Sequence, residues 1–538
     1  MKRSAVWLKV QVFLLLALGW LTGTALSCAA DPPVLERLLP AGGQRGTTVN
    51  AKLVGKPGEG NVRLQSGSSG LVFRLSEKWD LVEIEISADA EPGVHLLRLC
   101  NDAGASELRP FIVGILPEQQ EAEPNGRLAE SLAVATSAAT VNGVLEKSGD
   151  VDSWAVSLEA GKTLVASLTA SQILGSPMDG VLQVVDGRGT VVAQNDDDCS
   201  MDPLVTFAAP VSGTWYVRVF AFPAAPNSTI GFAGGADYVY RLTLGAQPFV
   251  NHAMPLVRQR GGGEQRLQLH GWNLEVQEAV LGARQKFLTG QFAQPWRVHE
   301  TSEPVLLEQQ LPGGVLNSLP AAVCGCLEQP GEDIFRLELK KGQRLSLTAE
   351  VRRFGSLLDP VLSVRDAAGR VLKEADDVDG GNPDASLDIA VPEDGQFEVR
   401  VQDRFLGHGD RWHYVLRCRE TAPECRLTVQ GTAWVLPVDK PLEIPVAVER
   451  RNGFADVLTL QVAGLPEGVT AEPVTSAKDG DSAKSVTLKI AGKLPAVWSG
   501  EIRVTARSED GREFPVVWLA TDGSDVVSFW LTIPAAGG

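Results

Sequence analysis

Glu121, Glu123 and Asn125 set three oxygen-bearing side chains on alternate residues, and Asp150 and Asp152 repeat that spacing further along the chain. On an extended backbone alternate side chains project to one side, so each short set presents its oxygens together. A hard divalent cation such as calcium takes roughly six to eight oxygens, several of them carboxylates held by turns, and needs no extended pocket. These five residues are therefore the candidate calcium ligands, and calcium is the one cofactor the sequence suggests. The competing account makes residues 121–125 an extended linker, because Pro124 biases Glu123 towards extended backbone and the polar groups would be solvated or bonded to turns. A second acidic run, Asn195-Asp196-Asp197-Asp198, with its counterpart Asp376-Asp377-Val378-Asp379, reads as an exposed hairpin end, since adjacent carboxylates are costly to bury.

Aromatic residues offer a different chemistry. Trp215, Tyr216, Phe220 and Phe222 cluster, and Tyr238 and Tyr240 lie on what reads as a neighbouring strand. Alternation turns Trp215 inward with Val217 and Val219 and leaves Tyr216 outward. Tyr216 and Tyr240 are the candidate binding-surface residues, because a flat ring adds contact area to a sugar or an extended polypeptide at little entropic cost. No catalytic residue is predicted. The six histidines show no HExxH and no close zinc spacing, there is no GxSxG elbow, and the glycine-rich stretches are turns outside any strand-loop-helix context. A cryptic hydrolase stays open as a rival, since a glycosidase carboxylate pair is defined across a cleft and not along a chain.

The elements that would position these residues are strands. Val82–Ile86, Trp215–Val219, Tyr238–Leu242, Leu442–Val448 and Val486–Ile490 alternate an apolar face with a polar or mixed one, the signature of half-buried strands. Helix-period segments of useful length are absent. The 55 glycines and 32 prolines punctuate these runs at turns such as Glu91-Pro92-Gly93 and Pro392-Glu393-Asp394-Gly395. The fold class is all-β, built of tandem β-sandwich domains, because 538 residues exceed what one core supports.

At the amino end Lys2, Arg3 and Lys9 precede an apolar run from Val10 to Leu18 and small residues up to Ala30, the three regions of a secretory signal. Residues 1–30 are read as a removable leader and the product as secreted, periplasmic or held at the cell surface, with lipidation of Cys28 as the less favoured variant. No later apolar stretch is long enough to span a membrane. Loss of the three leader cations would take the net charge from −17 to −20, which opposes nucleic-acid binding. The six cysteines outside the leader are too few to organise the fold, and no pairing is assigned.

Internal repetition carries the most information. Gly175-Ser176-Pro177-Met178-Asp179 recurs as Gly355-Ser356-Leu357-Leu358-Asp359. Asp152-Ser153-Trp154 answers to Asp333-Ile334-Phe335, Gly213–Val219 to Gly395–Val401, and Tyr238-Val239-Tyr240-Arg241 to Tyr414-Val415-Leu416-Arg417. Together with Glu121-Ala122-Glu123-Pro124-Asn125, Gly149-Asp150-Val151-Asp152, the acidic loop and the "GxWYVRV" strand, the first copy resembles the bacterial pre-peptidase C-terminal domain, a β-sandwich found beside secreted peptidases. The second copy lacks the Glu-Pro-Asn opening. Some members of that family in secreted collagenases bind calcium through carboxylates of these same two regions, so the resemblance implies that role for Glu121, Glu123, Asn125, Asp150 and Asp152. Gly126 stands where a further acidic residue often follows, which removes one expected ligand.

The predicted organisation is a row of modules: a leader over 1–30, an Ig-like unit of IPT/TIG type over 31–115, a jelly-roll-like pre-peptidase sandwich over 116–246, a second IPT/TIG-like unit over 247–305, a second pre-peptidase sandwich over 306–420, and a terminal Ig-like domain over 421–538 marked by Gly464-Leu465-Pro466-Glu467-Gly468-Val469. The series resembles exported proteins of planctomycete-type bacteria. The expected function is a non-catalytic exported scaffold contacting an extracellular polysaccharide or protein and stabilised by calcium. The alternatives are a purely structural surface spacer and an accessory protein of a secreted peptidase or hydrolase system.

Overall fold

The computed structural model describes residues 31–225, 231–288, 290–378 and 382–535. The predicted leader, with Cys28, and Asp379 of the second acidic run lie outside these residues. The described chain is nearly all β, as expected. Among the described residues no helix is long and apolar enough to cross a membrane.

Residues 34–114 form a four-stranded and a five-stranded sheet closed over Leu35, Leu53, Ile84, Leu97 and Phe111. Two five-stranded sheets follow. The first runs in the order Glu118–Gln120, Ala138–Val144, Val239–Gly245, Thr163–Thr169, Leu204–Ala208; the second runs Leu132–Ala133, Asp152–Leu158, Gly213–Pro223, Met178–Val185, Val191–Asn195. Trp154, Leu182, Val217 and Leu242 fill the space between them. Alternation decides which side chains enter: Trp215, Val217 and Val219 are buried, and Tyr216 between them is half-buried.

Residues 305–420 repeat this topology. Val305–Leu307, Ala321–Cys326, His413–Glu420, Arg344–Glu350 and Ala385–Ala390 form one sheet in the same spatial order as the first sandwich, facing a sheet of Glu332–Leu339, Gly395–Asp403, Pro360–Asp366 and Val371–Ala375. The sequence repeat is thus a repeat of strand order. Between the sandwiches, the described residues of 249–301 make a three-stranded sheet and two two-stranded ribbons. Residues 424–533 form a further strand assembly around Leu427, Val446, Leu488 and Phe529.

The units are not strung out in a row. The last folds back on the first: Arg98 Nη1 donates to the Thr432 carbonyl at 3.0 Å, Glu107 accepts from both the backbone N–H and the hydroxyl of Thr432, and the Arg98 guanidinium lies 5.9 Å from the Trp530 ring centroid. The two sandwiches are joined by Arg411, which donates to both oxygens of Asp198, at 2.9 and 2.5 Å. Asp198 therefore departs from the expected solvated hairpin end: its side chain is 5% exposed and its charge is met by a fork of two N–H groups. Asp196 and Asp197 are exposed as expected. All six described cysteines carry free thiols.

Candidate metal centre

Asp152 opens the strand Asp152–Leu158 and Tyr240 lies on Val239–Gly245 in the facing sheet. Tyr240 pairs across its own sheet with Gly143. The absence of a side chain there is a requirement, because a methyl group at 143 would overlap the Tyr240 hydroxyl and come within 2.6 Å of Glu121 Oε2. The tyrosine ring thus crosses the glycine and delivers its hydroxyl to the sandwich interior, donating to Asp152 Oδ2 at 2.6 Å while Trp154 Nε1 donates to the hydroxyl at 3.3 Å.

Glu121 closes over this pair. Its Oε1 accepts from the Val144 backbone N–H at 2.6 Å, while its Oε2 and Asp152 Oδ1 are buried and meet no N–H or hydroxyl donor among the described residues, so that only a proton shared between the two carboxyls can bond them within the protein. Carboxylate oxygens of Glu121, Glu123 and Asp152 all lie within 4.8 Å of one another. Glu123 accepts the Asn125 backbone N–H at 3.1 Å, and the Asn125 side chain is fully buried with both amide atoms unpartnered. Asp150 stands beside the cluster and closes the turn before the strand, accepting from the N–H of Glu146 at 2.6 Å and of Val151 at 3.2 Å.

Burial and the neighbouring Asp152 charge push the Glu121 carboxyl up, and burial pushes up those of Asp152 and Glu123, with the Asp150 charge adding to both. Among the described residues none of these carboxylates makes an ion pair with an arginine or lysine. Two buried carboxylates in one site cannot both ionise without a compensating charge, so the site takes either a proton or a cation. Orphaned oxygens only, with no nitrogen or sulfur donor except the Asn125 amide, fit a hard ion such as calcium.

Of the five residues singled out by spacing, the structure gathers Glu121, Glu123 and Asp152, buries Asn125 beside them, and gives Asp150 a turn-closing role. Tyr240 is a correction. It is 2% exposed and serves the buried carboxylate, so it cannot form a binding surface; alternation along its strand fails to report this because both faces of that strand are covered. Tyr216 remains half-buried.

The second sandwich repeats the inner part of the site. Tyr414 donates to Asp333 Oδ2 at 2.7 Å and lies 3.3 Å from Glu308 Oε2, and Glu308 Oε1 accepts from the Cys326 N–H at 3.0 Å. Gly325 takes the place of Gly143. Glu308 escaped sequence reasoning, although the matching Asp152/Asp333 and Tyr240/Tyr414 pairs pointed to a third partner. Gln310 and Gly331 stand near the positions of Glu123 and Asp150, so the two outer carboxylates are missing, and a cavity of about 320 Å³ opens beside Glu308, Glu328 and Asp333.

Fold and site define a two-sheet β-sandwich module with a carboxylate cluster under one edge. Residues 150–221 match the family model of the bacterial pre-peptidase C-terminal domain. A probable subtilase-type serine protease of Deinococcus radiodurans is 31% identical over 98 residues, which span 18% of this chain and 14% of that protease. Among solved structures, the M60 catalytic domain with the CBM51-1 and CBM51-2 domains of Clostridium perfringens ZmpB aligns at 9% identity over 73% of this chain and 55% of that one, with a TM-score of 0.15. The Bacteroides ovatus mixed-linkage glucan utilization locus protein SGBP-B, in complex with a mixed-linkage heptasaccharide, aligns at 11% identity over 73% and 75%, with a TM-score of 0.13. Scores this low describe neither a shared arrangement nor a shared ligand.

Proposed function

We propose that the chain is a non-catalytic exported binding or accessory protein whose first sandwich is locked by a calcium ion held by Glu121, Glu123, Asn125 and Asp152, with Asp150 shaping the approach. The observation that carries this reading is the set of buried oxygens of Glu121, Asp152 and Asn125 that no described N–H or hydroxyl of the protein meets; a proton between Glu121 and Asp152 would serve only those two, whereas a cation would satisfy all three. Calcium there supplies charge compensation and fixes residues 121–125 against the strand that begins at Asp152. Residues 306–420 are, on this reading, a second copy of the same module that kept the inner Glu308–Asp333–Tyr414 set and gave up the outer ligands. Contact with a polysaccharide or a protein is assigned to the outer faces of the sheets, where the half-buried Tyr216 offers part of its ring. The match over part of a probable subtilase-type serine protease, together with the pre-peptidase C-terminal domain match, favours an accessory role over a purely structural spacer.

Thermal unfolding of the full chain tests it. Millimolar calcium should raise the transition of the first sandwich and a chelator should return it, as ligand linkage requires. An unfolding profile indifferent to calcium contradicts the reading.

A further inference from the structure

Three histidines that are far apart in the sequence meet where the central unit abuts the second sandwich. His252 and His270 face each other directly across the strand pair Phe249–Met254 and Gln265–Trp272, with ring centroids 4.4 Å apart and planes 12° from parallel. His413, at the start of His413–Glu420, stacks on the other face of His252 at 3.9 Å. Asp410, in the loop before that strand, lies with one oxygen 2.5 Å from His270 Nδ1. A ring nitrogen of His252, one of His270 and a carboxylate oxygen of Asp410 all fall within 4.8 Å of one another.

Sequence spacing hid this cluster, since it joins residues from two units. An independent observation marks it as a ligand site. His252 is 1% exposed, and its Nε2 is buried with no hydrogen-bond partner. A ring nitrogen left without a partner in the interior costs stability unless something occupies it. His413 differs: its Nε2 lies 3.0 Å from the Phe354 carbonyl, an acceptor only, so that nitrogen carries the proton, and its Nδ1, though also buried and without a partner, does not fall within the group of converging donor atoms; the ring stacks on His252 as a wall.

We propose that His252, His270 and Asp410 bind one divalent transition ion of the zinc class, joining the central unit to the second sandwich. Two imidazoles and a carboxylate are the donor set that suits zinc, cobalt and nickel and disfavours calcium, which takes oxygen. The ion replaces the proton that bridges His270 Nδ1 and Asp410, and that proton passes to solvent. His252 is the buried member, while the His270 side chain is 27% exposed and that of Asp410 58% exposed, so His270 has room on its solvent side to turn out of the stack and bring its lone pair towards that of His252. The remaining positions are filled by water or by a ligand from solution. The loop that supplies Asp410 also supplies Arg411, whose guanidinium grips Asp198 of the first sandwich and lies 5.7 Å from the Trp272 ring centroid. Metal binding therefore stiffens the hub where three units meet.

The test uses the full chain, stripped with chelator and titrated with zinc chloride by calorimetry, and with cobalt chloride by visible absorption. We expect one saturable zinc equivalent and a cobalt spectrum of a low-coordinate nitrogen and oxygen site. Affinity should fall roughly tenfold or more in both His270→Ala and Asp410→Asn. His408→Ala, on the same loop but outside the cluster, should bind like the unaltered chain, and Asp152→Asn should also retain zinc, which separates this site from the calcium reading. Circular dichroism confirms that each variant is folded before titration. Absence of saturable zinc or cobalt binding, or binding undiminished in folded His270→Ala and Asp410→Asn, overturns the proposal.

Discussion

The Tyr240 hydroxyl donates to Asp152 across the interior of the first sandwich at 2.6 Å, and Tyr414 does the same for Asp333 in the second at 2.7 Å. A tyrosine on one sheet holding the first carboxylate of a strand on the other is the fixed point of both copies, and it explains why each copy also keeps a bare glycine opposite the ring. Tyr240→Phe should cost roughly 1.5–3 kcal/mol, the range for a hydrogen bond to a charged group, and should weaken the calcium response. Comparison of unfolding with and without calcium in the variant measures both effects.

The second sandwich should be sensitive to alkali. Burial, followed by the Asp333 charge, pushes the Glu308 carboxyl up, and burial does the same to Asp333. A carboxyl whose pKa is higher folded than unfolded gives stability that is complete below the ordinary carboxylate range and is lost as pH rises through the folded value. Between about pH 5 and about pH 9 the second sandwich should therefore weaken. Glu308→Gln, which cannot ionise, should remove most of that slope and gain roughly 1 kcal/mol or more at the alkaline end. Denaturant melts across that pH range would show it.

Arg411→Ala should uncouple the two sandwiches. It leaves Asp198, whose side chain is 5% exposed, without its counter-charge, a loss of roughly 3 kcal/mol when a buried pair is broken from one side. Asp198→Asn on the same background should recover part of it. Small-angle scattering, expected to show a larger and more variable span in Arg411→Ala, reads the outcome.

Tyr216→Ala should separate binding from folding. The ring is half-buried, so its removal should shift stability by less than about 1 kcal/mol while lowering retention on a glycan array or of an exported protein partner. Tyr240→Ala would disrupt the core and could not distinguish the two.

Much of the fold was legible because the strands alternate cleanly and because two stretches share ordered residues at nearly constant offset; the same strand order in residues 118–245 and 305–420 is what those offsets require. The site was legible in part. Glu121, Glu123 and Asp152, whose carboxylates the structure brings within 4.8 Å of one another, were singled out by spacing on an extended chain, a local property. Tyr240 was misplaced because burial of both faces of its strand depends on neighbouring layers. The Asp198–Arg411 pair and the histidine cluster were invisible for a related reason: each joins side chains supplied by different units, and no local pattern encodes how units pack.

The proposed hard cation would be held by the buried oxygens of Glu121, Asp152 and Asn125 in the first sandwich. Isothermal titration of chelator-stripped full chain with calcium chloride measures this directly. One calcium should bind the unaltered chain, with binding lost or strongly weakened in Asp152→Asn and in Glu121→Gln and retained in Asp333→Asn. Binding of equal strength in Asp152→Asn, or no heat attributable to calcium in the unaltered chain, would contradict it.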